Sequence, residues 1–296
     1  MASETKMKLP KVWQMVNRGS LDQDPETKHG MQQMYSEVAD LYHAYRPGYT
    51  DDLVEEAFEK CKLLKNKAKA KILELGCGPG TLTLTLAQRG LDIVALDPGV
   101  GMIEKARQVC KDYSNVHLLH TTFNEYTSDD KFDAIIAATS MHWVLAESDK
   151  DKIIEKLSNH LKEDGSLILF WNFPLEPSDE ILDKIADALN QPKPFHFSNG
   201  NFAAHHERMT EHTLEPLETS MYFSPFETII HTIHENVPIE SFVNFLQTMS
   251  NFISMDDDER ESILGTTRRI LGEVSGDMVA TSRFTMINIS SKCKTP

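Results

Sequence analysis

The sequence predicts an α/β fold, a doubly wound and mostly parallel sheet, on two observations. From Lys71 onwards short apolar runs alternate with helical segments, a spacing that pairs strands in parallel and puts helices on both faces. The first strand, ending Ile72-Leu73-Glu74-Leu75, turns through three alternating glycines, Gly76, Gly78 and Gly80. That is where an open α/β sheet forms its ligand crevice. The chain has 296 residues, 40% of them hydrophobic and 25% charged, enough to bury a large core.

The elements follow in order. Residues 1–30 lack periodicity and carry Pro10, Gly19, Pro25 and Gly30, so they read as an arm ahead of one domain over 31–296. A helix is expected from Met31 to Ala44, stopped by Pro47 and Gly48, and another from Asp51 to Lys62, capped by Thr50 or Asp51. The lysine-rich stretch 65–71 reads as a solvated connector. Strands are expected at Lys71–Leu75, Asp92–Leu96, Val116–His120, Phe132–Ala138 and Ser166–Trp171, the last after a turn at Asp164-Gly165. Helices between them should cover Thr81–Gln88, Gly101–Lys111 and Ser148–Leu161. After Pro174 the rhythm breaks. A helix at Asp179–Leu189 leads into a Pro-, His- and Asn-rich stretch, then a strand at Thr228–Glu235, helices at Ile239–Phe252 and Asp257–Glu273, and a strand at Met278–Ile289. The acids Asp256 to Glu259 suit the start of a helix, where they complement its dipole.

Composition excludes several functions. Thirty Lys and Arg against 45 Asp and Glu give a net charge of −15, unlike the basic footprint of a nucleic-acid binder. Apolar runs such as Leu167–Trp171 are too short to span a bilayer, and the N-terminus has no apolar signal core. Cys61, Cys77, Cys110 and Cys293 are scattered and read as reduced thiols. The expectation is a cytoplasmic protein without membrane or nucleic-acid partners. His205-His206 and His231-x-x-His234 lack a third ligand at a telling distance, so no metal is expected.

The glycine turn is G-x-G-x-G, neither the dinucleotide fingerprint nor a P-loop, because Thr81 stands where a third spaced glycine would be and no Gly-Lys-Ser/Thr follows. Asp97 ends the next strand, where an acid can accept from both ribose hydroxyls of a nucleoside.

Glu74-Leu75-Gly76-Cys77-Gly78-Pro79-Gly80 together with Asp97 resembles the signature of class I S-adenosylmethionine-dependent methyltransferases. Tyr42-His43-Ala44-Tyr45-Arg46-Pro47-Gly48-Tyr49 is similar to the YxxxRPxYP element of a branch that includes trans-aconitate-methyltransferase-like small-molecule enzymes, with Thr50 replacing the second proline. The resemblance is strong over about 35–172. It implies a seven-stranded Rossmann-like sheet with an antiparallel last strand, a cofactor-binding core at about 71–172 and a helical lid over the acceptor pocket at about 174–226. S-adenosyl-L-methionine is the implied cofactor. By the same resemblance, Gly76, Cys77, Gly78 and Gly80 cradle its methionine part and Glu74 meets its amino end, directly or through water. Asp97 holds the ribose, Pro98 and Met102 line the adenine, and the loop at Thr122 and Phe123 reads the purine edge. Ala138 to Met141 face the sulfonium.

Around the methyl group the candidate catalytic residue is His142, at the carboxyl end of the fourth strand. Two readings stand, an acceptor-orienting group or base, and a histidine that shapes the pocket wall. Tyr42 and Arg46 are assigned to the cofactor. Arg46 precedes a proline, so it is extended, and its fork suits a carboxylate of the cofactor, a substrate acid or a structural salt bridge. Tyr45, Trp143 and Trp171 are assigned to the acceptor pocket. The spacing of Tyr35 and Tyr42 fits core packing as well as a lid. The expected activity is methyl transfer to a small molecule at O or N by in-line displacement. The alternatives are methylation of a protein or tRNA, and a cofactor-binding regulatory protein without its own acceptor.

Overall fold

The structure, a computed structural model, describes residues 34–61, 70–146, 148–190 and 209–293. The expected arm at 1–30, the His205-His206 pair and most of the Pro-, His- and Asn-rich stretch lie outside these residues. Seven strands form one sheet: β1 (Lys71–Leu75), β2 (Asp92–Asp97), β3 (Val116–His120), β4 (Phe132–Ala138), β5 (Leu161–Asn172), β6 (Glu227–Pro238) and β7 (Met278–Ser291). Their order is β3-β2-β1-β4-β5-β7-β6. The first five strands pair in parallel, and β7 is antiparallel to both β5 and β6. Six strands therefore run one way and β7 alone runs against them, the expected Rossmann-like sheet.

Before the sheet come α1 (Ala39–Tyr45) and α2 (Asp51–Lys60). The helices α3 (Thr81–Gln88), α4 (Val100–Val109), α5 (Met141–Val144) and α6 (Lys150–His160) connect the parallel strands. After β5 come α7 (Asp179–Leu189), a π-helical turn at Thr210–Leu214 and α8 (Glu215–Glu218). Between β6 and β7 lie α9 (Ile239–Leu246), α10 (Ser250–Ile253) and α11 (Asp257–Ser275).

The period of two along each strand divides the core. Leu73, Leu75, Ile135, Ala137, Leu167 and Leu169 face α6, whereas Ile72, Ala134, Ile136, Ile168 and Phe170 face α2 and α3. A third apolar cluster joins α7, α9 and α11. Since β6 runs with the parallel strands, α9 starts at the same carboxyl edge as the glycine turn. The cap over that edge therefore includes the β6–β7 insertion, not only the segment after β5.

Several boundaries differ from expectation. Strand β5 begins at Leu161 rather than Ser166, and the Asp164-Gly165 turn becomes a register irregularity within it. The helix expected at Ile239–Phe252 is two helices. After Phe245 the Thr248 hydroxyl returns to the Phe245 carbonyl at 2.6 Å and closes the first of them. Helices α5 and α8 and the π-helical turn escaped the sequence because each is too short to show a period. Helix α11 starts as expected, with the Asp256 carboxylate accepting from Glu259 N at 2.9 Å.

Among the described residues no helix is long and apolar enough to cross a membrane. All four cysteines carry free thiols. Ile136 is fully buried on the central strand β4. Replacing it by alanine is expected to lower stability by about 3 kcal/mol in urea unfolding, the transfer and cavity cost of a packed core site.

Candidate active site

The glycine turn at the end of β1 is built from contacts that only glycine permits. Gly76 has φ +66°, and a Cβ there would lie 2.5 Å from the Ser140 Cβ, so the turn presses directly on the end of β4. Gly78 has φ +56° and nothing within 4 Å of where a Cβ would be, so its backbone faces open space. Gly80 leads into α3. Cys77 turns its side chain into the core and contributes main chain only, its N–H donating to Leu96 O at 3.0 Å.

Asp97 ties this turn to the loop after β2. One carboxylate oxygen accepts from Gly78 N and the other from Gly99 N, each at 2.8 Å. Around it, the Pro98 carbonyl meets His120 Nε2 at 2.9 Å, and Met102 is buried. The N-terminal segment covers this edge closely. A Cβ on Gly101 would come within 2.4 Å of the Ser36 carbonyl oxygen.

Glu74 is fully buried under the turn. Its Oε2 accepts from the Thr83 hydroxyl at 2.7 Å, and Oε1 has no protein partner among the described residues. Burial pushes its carboxyl up to about 8, against the lowering effect of Thr83. Asp97 is pushed up to about 6 by burial, which outweighs its two backbone donors. Glu74 is thus an enclosed acid with one oxygen left without a protein partner beneath the turn.

At the loop after β3, the Thr122 hydroxyl is engaged with Glu125, accepting from its N–H and donating to Oε2, both at 3.1 Å. Phe123 points into the core, and its carbonyl accepts from Lys156 Nζ at 2.7 Å. Its side chain therefore faces the core and not the crevice. Ala138 ends β4 half-buried, and Thr139 follows with φ +55°, an uncommon backbone for a β-branched residue. Its strain is held from two sides: Tyr49 OH shares a hydrogen bond with Thr139 Oγ1 at 3.1 Å, and Asn172 N donates to that oxygen at 3.3 Å.

His142 sits on α5, half-buried, with its ring 5.3 Å from Trp143 and 5.7 Å from Trp171. The Trp171 indole N–H is buried with no acceptor among the described residues. These three side chains gather on the α6 face of the sheet. Tyr45 packs elsewhere, against the third apolar cluster.

Arg46 is extended, as its position before proline requires. Its guanidinium is directed at the cap: Nε donates to Thr248 Oγ1 and Nη2 to Thr248 O, both at 2.8 Å, and the group lies over the Tyr42 and Phe245 rings. Thr248 is thus the partner of Arg46, a neutral side chain and carbonyl in place of a carboxylate. Tyr42 meets Tyr35 edge-on at 6.1 Å. His231 pairs with Glu56 at 2.8 Å rather than joining His234.

Sequence reasoning missed Asn172, Glu235, Thr248 and Arg283. Arg283 carried a signal, the single charged residue of the final strand. It is buried, with Nε donating to Glu235 Oε1 at 3.0 Å and Nη1 to Asn172 Oδ1 and Thr285 Oγ1. Asn172 in turn donates to the carbonyls of Pro47 and Gly48.

Two outcomes follow. Glu74 and Asp97 hold protons in the folded chain at pH values where the unfolded chain has lost them. Their contribution is present below an unfolded value of about 4 and lost as pH rises through 6 and 8. Unfolding of ligand-free protein should therefore show stability falling from about pH 4 to pH 8, more steeply below 6 where both acids contribute, and Glu74→Gln should flatten the part of the fall above pH 6. Arg46→Lys keeps the charge but loses the fork on Thr248. It should lower stability by about 1–2 kcal/mol in urea unfolding.

Residues 72–165 match the family model described as a methyltransferase domain. An uncharacterized methyltransferase of Mycobacterium tuberculosis is 29% identical over 179 residues, 57% of this chain and 68% of that protein. The malonyl-[acyl-carrier protein] O-methyltransferase of Acetivibrio thermocellus is 36% identical over 106 residues, 35% of this chain and 36% of the relative. In fold, a type II methyltransferase candidate from Anaeromyxobacter dehalogenans superposes with a TM-score of 0.55 at 20% identity, covering 83% of this chain and 97% of that one. The family match thus covers the sheet core, and the solved structure shares the fold.

Proposed function

We propose that the chain is an S-adenosylmethionine-dependent methyltransferase acting on a small molecule at O or N. The observation that carries this reading is the Asp97 bridge, which holds the half-buried Gly78 backbone and the loop after β2 as one preformed cradle. The residues fit the cofactor. Gly78 leaves open space where any other residue would put a side chain, and the acidic neighbourhood of Asp97 and Glu74 suits a cationic ligand better than a pyrophosphate. S-adenosylmethionine, when bound, supplies a methyl group activated by its sulfonium.

The protein's part is binding and orientation. Asp97 has lone pairs left for two ribose hydroxyls, and the main chain of Gly76 to Gly80 lines the rest of the cradle. Pro98 and Met102 flank the nucleoside side, while Ala138 and the strained Thr139 set the floor where β4 ends. His142, wedged between Trp143 and Trp171, orients the acceptor or takes its proton. The net charge of −15 favours a small-molecule acceptor over RNA.

Calorimetry with S-adenosylhomocysteine tests the first half of this reading, with micromolar binding expected and at least about tenfold loss in Asp97→Ala. A folded chain that binds no such ligand refutes it. Incubation with metabolite extracts should give a product heavier by one CH2, whereas protein or RNA fractions should not. His142→Asn should lower kcat by about 100-fold and remove one limb of its pH profile, with ligand affinity unchanged. A merely structural histidine would leave the shape of the profile intact.

A further inference from the structure

The carboxyl edge of the sheet holds a second open space, a cavity of about 420 Å³. It lies between the segment from Tyr45 to Thr50 and the ends of β6 and β7, with Glu235, Val237, Ser241 and Arg283 on its walls. Arg283 is 6% exposed. Its Nε is taken by Glu235, and its Nη1 hydrogens by Asn172 and Thr285. Nη2 donates to no protein acceptor among the described residues, and Arg283 and Glu235 both border the open space. A buried guanidinium with unmet hydrogens is costly unless water or a ligand takes them.

We propose that this cavity binds the recognition end of the methyl acceptor, and that this end is an α-amino-acid zwitterion. Its carboxylate takes the Nη2 hydrogens of Arg283, and its ammonium group takes Oε2 of Glu235. The charges of the two residues cancel, so the pair rejects either charge alone. A lone carboxylate would meet Glu235, and a lone amine would meet Arg283. A zwitterion satisfies both. The site is linked to the proposed transfer site by Tyr49, which borders the cavity and bonds Thr139 directly after Ala138. Its wall is held by Asn172, which donates to the Pro47 and Gly48 carbonyls and accepts from Arg283.

The inference rests on the methyl-transfer reading only in naming the bound molecule an acceptor. The cofactor's own amino-acid end has the same chemistry, and the test must separate the two. Proteinogenic amino acids, together with matching amines and carboxylates, are titrated by calorimetry into chain saturated with S-adenosylhomocysteine and into ligand-free chain.

The expected result is binding of amino acids to the saturated chain, about tenfold or more tighter than the matching amine or carboxylate. Glu235→Gln should remove that preference by admitting carboxylates. Ser241→Phe, which fills the cavity without touching the Arg283 bonds, should abolish amino-acid binding. Both variants should bind S-adenosylhomocysteine as the parent does. Amino acids that bind only ligand-free chain, or not at all, overturn the proposal, as does binding that survives both substitutions. Amino-acid binding that responds to both substitutions, in a chain that does not bind S-adenosylhomocysteine, keeps the site and removes the word acceptor.

Discussion

The structure of the site depends on one carboxylate. Asp97 ends β2 and spans to the turn that ends β1, accepting from Gly78 N with one oxygen and from Gly99 N with the other. Two loops that would otherwise move separately are thereby held at a fixed separation. The arrangement has a cost, because Asp97 is almost wholly buried and its carboxyl is pushed up to about 6. Glu74 beneath the turn shares that condition more strongly. The ligand-free cradle thus stores two acids away from their ordinary ionisation, and a cationic ligand would relieve both.

The second organising feature is the reversed strand. Because β7 runs antiparallel to β5, its first half lies at the carboxyl edge and delivers Arg283 and Thr285 beside Asn172. From there hydrogen bonds lead to Pro47 and Gly48, to Tyr49 through Thr139, and to the end of β4. The same edge is capped by α9, which Arg46 ties to α1 through Thr248. A polar network and an arginine clamp thus make the N-terminal segment part of the sheet's active edge.

Much of this was legible in advance. The strands Lys71–Leu75, Val116–His120 and Phe132–Ala138 and the helix Thr81–Gln88 stand where periodicity put them, since each is a short apolar run bounded by its own turn residues. The glycine turn was legible because its backbone demands are local. Arg46 gained a partner in Thr248, 202 residues away, which no local pattern announces.

The sequence by itself determined the sheet, the glycine turn and the acid that follows the second strand, because those features arise from short-range periodicity and from backbone geometry that only glycine permits. Tertiary structure alone decided which polar side chains meet. Arg283, Asn172, Glu235 and Thr139 come from four different strands or strand ends, and only the strand order and the reversal of β7 bring them to one wall. Contacts made across a sheet are set by register and burial, and neither can be read from residues far apart in the chain.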